Sequence, residues 1–166
     1  MKQTFVNKFV LFLLLIFILS NSSLFAHCQI PCGIYGDQMR IMILKEHVTT
    51  IEKSMNKIIE LSKAESINYN QLVRWVNNKD QHAQEMQDIV TAYFLTQRIK
   101  PVDLTDKEAY KSYSEKTTTL QQILFYAMKT KQTTDLKHGA KLTELIDQFS
   151  KSYFSAEDLK HLKEHK

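Results

Sequence analysis

The sequence predicts an all-α fold, an antiparallel up-down four-helix bundle, on three observations. Glycine occurs three times and proline twice in 166 residues, too few turn formers for a β-rich chain and suited to long helices with short connections. Beyond Asp37, apolar residues recur at steps of three and four, the seam of amphipathic helices. Hydrophobic residues make up 43% and charged residues 24%, so a chain of this length can bury a core and is not disordered.

The first helix is expected from Asp37, placed to cap it, to about Ala64, with Ile41, Leu44, Val48, Ile51, Met55 and Ile58 on one face. The polar stretch SINYN separates it from a second helix, about Asn70 to Arg98, with Leu72, Val76, Ala83, Met86, Val90, Tyr93 and Phe94 inward and Pro101 beyond its end. Six polar residues in its middle, NNKDQH from Asn77 to His82, interrupt the apolar stripe. Two readings stand: a solvated stretch of a long helix, or a place where His82 or Asn78 faces a polar site or a subunit contact, since a buried polar group must find a partner.

A third helix begins at Thr105, where TDKE supplies a capping box to Glu108, and carries Ala109, Tyr113, Leu120, Ile123, Leu124 and Ala127 inward. The fourth starts near Thr134 or Asp135 and buries Leu142, Ile146, Phe149 and Tyr153. Gly139 weakens its first half, because glycine costs about 1 kcal/mol against alanine inside a helix. A last short piece, Ser155 to Lys166, has Ser155 as its cap. The aromatics Trp75, Tyr93, Phe94, Phe125, Tyr126 and Phe149 fall at helical spacings and read as core. His47, His138, His161 and His165 have no companions at metal-ligand spacing and read as surface or capping residues.

Composition and motifs exclude several functions. The net charge of +4 falls to +2 without residues 1–26, which carry Lys2, Lys8 and no acid, too mild a balance for nucleic acid. No phosphate-binding glycine loop, nucleophile elbow or paired-carboxylate motif occurs. Two cysteines spaced C-x3-C make no disulfide framework. They are a ligand pair, a local redox pair or accidental.

The first 26 residues have the layout of a secretory signal. Two lysines in Met1 to Lys8 precede the apolar run FVLFLLLIFIL, and SNSSLFA ends on Ala26 at the cut. Export to a periplasm or the extracellular space follows; left uncleaved, the segment is a membrane anchor. The expected organisation is therefore residues 1–26 as signal peptide, 27–37 as a metal-binding hook and 38–166 as the bundle.

A cut after Ala26 frees the α-amine of His27. That amine and the amide nitrogen of Cys28 close one five-membered chelate ring, the Cys28 thiolate closes another, and Cys32 returns through a turn made by Gln29, Ile30 and Pro31. Two nitrogens and two sulfurs in a plane, with the His27 imidazole above, suit Ni(II) or Cu(II) rather than tetrahedral zinc. A deprotonated amide and two thiolates also bring a trivalent state within reach. Such a centre can oxidise one radical and reduce the next. On spacing alone, a Cys28–Cys32 disulfide or an inert thiol pair is the competing account.

The stretch HCQIPCGIY resembles the amino-terminal hook of the nickel superoxide dismutases, His-Cys-x-x-Pro-Cys-Gly-x-Tyr, at His27, Cys28, Pro31, Cys32, Gly33 and Tyr35. QLVRWVNNKDQHAQ and YFLTQRIKP are similar to the second-helix region of the family. The resemblance implies a four-helix subunit in a homohexamer that disproportionates superoxide with a nickel ion. It implies His27, Cys28 and Cys32 as metal ligands, Tyr35 as the residue that closes over the metal and admits a small anion, and Pro31 as shaping the loop. Three positions depart from the family pattern. Gln29 stands where many members have aspartate; Met42 stands where an acid is expected two residues beyond Arg40, leaving Glu46 as the candidate to orient the imidazole; and His82 aligns with the arginine that reaches the site from another subunit. The alternative function is an exported, non-catalytic nickel- or copper-binding helical bundle. Export also brings the risk that Cys28 and Cys32 join before metal arrives.

Overall fold

The computed structural model describes residues 35–164, and every regular element among them is helical. Helix α1 spans Asp37–Ser62 and α2 spans Tyr69–Asp88, the latter running without a break into a π-helical segment, Ile89–Arg98. Helices α3 (Lys107–Gln132), α4 (Lys137–Tyr153) and the short α5 (Ala156–Glu164) follow. α1 packs on α2 and α4, and α3 packs on α2 and α4. No helix among the described residues is long and apolar enough to cross a membrane.

The core forms where the predicted stripes meet. All six inward residues expected on α1, Ile41, Leu44, Val48, Ile51, Met55 and Ile58, are buried. Opposite them lie Ala83, Met86, Val90, Tyr93 and Phe94, then Leu120, Ile123 and Ala127, then Leu142, Leu145, Ile146 and Phe149. Phe94 makes edge contacts with Phe149 and Tyr153, ring centroids 5.0 and 5.7 Å away, which fixes the π-helical segment against α4. Phe125, expected in the core, is instead 48% exposed beneath Lys129. Ile123 and Ala127 take the inward face of α3, so the residue midway between them points outward.

Caps sit one or two residues from where the sequence suggests. Asp106, not Thr105, caps α3, accepting from the Ala109 N–H at 3.0 Å, while Thr105 is tied back to Asp103. α4 opens at Lys137 behind an Asp135 turn. Ser155 does cap α5, in a reciprocal box with Asp158: the Asp158 N–H donates to the Ser155 hydroxyl and Ser155 donates to the Asp158 carboxylate.

Two local features mark the contacts between helices. Gly139 is buried on α4 facing α1, and a Cβ there would lie 2.5 Å from Glu52 Oε1, so the missing side chain leaves room for the Glu52 side chain. In the polar NNKDQH stretch, the buried Lys79 donates to the carbonyls of Thr130 and Lys131 at 2.5 and 2.8 Å and to Asp80 at 2.7 Å. A cation on the last carbonyls of α3 is favoured by their unpaired lone pairs and the helix dipole. Asn78 likewise donates to Ser54 on α1 at 2.9 Å. This stretch is thus the polar seam between α2 and its neighbours, not a solvated interruption.

Candidate functional site

The body meets the N-terminal stretch at Tyr35, Gly36 and Asp37. Asp37 opens α1 but does not cap it: Gly36 occupies the cap position and no side chain bonds there. The Asp37 carboxylate turns instead into a cluster. Its Oδ2 accepts from Arg98 Nη2 at 2.6 Å, Arg98 Nε at 3.1 Å and the Tyr153 hydroxyl at 2.7 Å, while Oδ1 accepts a short hydrogen bond from the Tyr93 hydroxyl. The Gly36 N–H donates to the same Tyr93 oxygen at 2.9 Å. Backbone and side chain at the start of α1 are therefore held by one buried phenol.

The π-helical segment makes this grip possible. Its i→i+5 bonding is visible in the Ile99 N–H donating to the Phe94 carbonyl at 2.9 Å, and the side chains of Thr96 and Gln97 also donate to carbonyls five residues back, those of Thr91 and Ala92. In an α-helix, residues five apart diverge around the axis; a wider turn stacks them. Tyr93 and Arg98 are five apart, and both reach Asp37. Such widened turns occur often at functional sites.

Tyr35 sits on this platform. Its ring lies over the Arg98 guanidinium, 4.2 Å from carbon to centroid, and edge-on to Tyr93 at 6.1 Å. Arg40 covers Tyr93 from a further direction at 5.1 Å. The ring is half exposed and borders an open recess lined also by Gly36, Met39, Met42, Phe154 and Asp158. Gln38 donates to Asp158 at 3.2 Å, closing α5 against the rim.

The electrostatics follow from burial and these bonds. Burial works to raise the Asp37 carboxyl, but the hydrogen bonds from Arg98, Tyr93 and Tyr153 outweigh it and hold the group below the usual carboxylate value. Burial first, and then donation to Asp37, push both Tyr93 and Tyr153 up to about 12. Arg98 is raised by its bond to Asp37. At neutral pH the cluster is one carboxylate, one guanidinium and two intact phenols, each phenol proton committed to Asp37.

Of the sequence-predicted residues, Tyr35 lies at this recess, while His27, Cys28 and Cys32 lie outside the described residues, as do the signal segment and its cut. Met42 lines the recess where the family pattern has an acid. Neither Glu46 nor His82 borders it. His82 packs against His47 in a separate cluster with Glu85, and His47, read from the sequence as a surface or capping residue without companions, is buried at 7% exposure. Sequence reasoning missed Asp37, Arg98 and Tyr153 as supports. The available signal was the pair Tyr93 and Arg98 in YFLTQRIKP, five apart at the end of a helix whose stripe already placed Tyr93 inward.

The all-helical fold and its tyrosine-arginine recess, with a sequence stretch rich in sulfur and nitrogen ahead of Tyr35, fit a class: small helical metalloproteins. A family model described as nickel-containing superoxide dismutase matches residues 22–157, and the chain belongs to that family. It is a nickel-dependent oxidoreductase whose substrate is superoxide, converted to dioxygen and hydrogen peroxide. No curated protein and no solved structure matches the chain. Family membership decides for the enzyme over a metal carrier without turnover. The thiols and nitrogens that HCQIPC offers are of a kind that would suit a nickel ion.

Proposed function

We propose that the mature chain starts at His27, and that the His27 amine and imidazole, the Cys28 amide and thiolate, and the Cys32 thiolate would hold the nickel ion. A nickel ion held there would supply one-electron redox chemistry. Tyr35 closes over the centre, admits the small anion and excludes larger ones. Its orientation rests on Arg98 beneath the ring, and the Gly36–Tyr93 and Asp37–Arg98 contacts fix the point where the hook leaves the body.

The observation that carries this reading is the HCQIPCGIY stretch running directly into a described, anchored tyrosine. We further propose an antiparallel up-down four-helix bundle, supported by α1 and α3 each packing on both α2 and α4. Residues 1–26 act as a signal that exports the chain to a periplasm or the extracellular space. The working assembly is a homohexamer.

N-terminal sequencing, metal analysis and superoxide consumption on the natural product test the scheme together. His27 is expected as the first residue, with one nickel per chain. One added residue ahead of His27 converts the amine to an amide and is expected to abolish dismutation while leaving helicity intact. Full activity in that extended protein would contradict the ligand set.

A further inference from the structure

Away from the recess, His47 on α1 faces His82 and Glu85 on α2. The two Nδ1 atoms are 2.8 Å apart, and Glu85 Oε2 lies 3.7 Å from one and 3.8 Å from the other. His82 and Glu85, three apart on one helix, present to the same side. Two Nδ1 atoms at this distance cannot both carry a hydrogen, so at least one lone pair points into the gap between them. The circle through three atoms separated by 2.8, 3.7 and 3.8 Å has a radius of about 2.0 Å, the length of a metal–imidazole or metal–carboxylate bond for zinc.

We propose that His47, His82 and Glu85 form a second metal site, distinct from the nickel hook, for a divalent ion of borderline softness such as Zn(II). Two imidazoles and a carboxylate are a familiar three-ligand set for zinc, with the remaining position left to water. The His47 side chain is 9% exposed, His82 26% and Glu85 42%, so the site is floored by the protein and opens to solvent on the Glu85 side. Burial, and then the neighbouring His82, lower the His47 pKa and keep its imidazole neutral, the form that ligates. Glu85 and Glu46 both place negative charge near His47, which favours a cation there. The site bridges α1 and α2, so an ion bound in it would cross-link two helices that pack on each other.

The test uses the full mature chain with its hook already nickel-loaded, titrated with Zn(II) in a calorimeter. One further equivalent per chain is expected, lost in His82→Gln and weakened about tenfold or more in Glu85→Gln, a half-exposed position whose replacement leaves the fold intact. The same equivalent is expected to persist in the Cys28→Ser, Cys32→Ser double variant, which removes the hook thiolates, so failure of the hook scheme and failure of this site are separable. Co(II) in that double variant should give visible d–d bands without a thiolate charge-transfer band. Absence of a further Zn(II) equivalent, or an equivalent that His82→Gln and Glu85→Gln leave unchanged, would overturn the proposal.

Discussion

Replacing Asp37 by asparagine tests whether the start of α1 is held from inside. The carboxylate accepts four hydrogen bonds, from both Arg98 nitrogens, Tyr153 and Tyr93. Asparagine keeps one acceptor oxygen and turns an NH₂ group toward donors, leaving the Arg98 guanidinium without its counter-charge. Hydrogen bonds to charged groups contribute about 1.5–3 kcal/mol each. The Arg98 side chain is 28% exposed and water can replace part of what is lost, so the net cost is about 2–4 kcal/mol rather than the sum. At about 4 °C per kcal/mol for a domain of this size, Tm falls by about 8–16 °C. Calorimetry at neutral pH, with a double-mutant cycle against Arg98→Met, is the assay; a coupling of at least about 1.5 kcal/mol is expected. The acid limb gives an independent check. Because the folded carboxyl titrates below its unfolded value near 3.9, its contribution is present above about pH 4 and lost as pH falls through the folded value, and the asparagine variant lacks that limb. A loss under about 0.5 kcal/mol, or strict additivity with Arg98→Met, would refute the idea that this cluster anchors the recess.

Three other perturbations read different parts of the fold. Tyr93 and Tyr153 titrate at about 12 in the folded protein against about 10 unfolded, so their contribution is complete below pH 10 and disappears as pH rises toward 12; ultraviolet phenolate titration should find two late phenols, and Tyr93→Phe should leave one. Gly139→Ala sets a helix-propensity gain of about 1 kcal/mol against a Cβ placed 2.5 Å from Glu52 Oε1, so it should do little alone and stabilise by about 1 kcal/mol in a Glu52→Ala background, as denaturant midpoints would report. Lys79→Met keeps the apolar stem but strips the carbonyls of Thr130 and Lys131 of their shared donor, with an expected loss of about 1–3 kcal/mol in urea unfolding.

What the sequence made legible was whatever depends on near neighbours. The 3.6-residue period located the six buried apolar positions of α1, because a helix face is decided by spacing, but not the buried polar His47 and Ser54 on the same helix. The family motif was readable for the same reason, lying within nine consecutive residues. The supports of Tyr35 were not, since they are long-range. An acid at a helix start reads as a cap or a dipole partner, and only the arrival of Tyr93, Arg98 and Tyr153, the last 116 positions away, turns Asp37 inward. The π-helical segment escaped for a subtler reason: Val90, Tyr93 and Phe94 fit an α stripe as well as a wider one, and the two diverge only at Arg98, a charged residue that no apolar pattern can place. His47 was set aside by the same blindness, companionless on its own helix, although its partner His82, 35 residues on, already read as a residue that could face a polar site. Phe125 erred in the opposite direction, assigned to the core for being aromatic when its place on α3, midway between Ile123 and Ala127, already pointed it out to Lys129. Identity of residue type misled where angular position would not have, and the polar residues that matter most here are those whose partners lie on another helix.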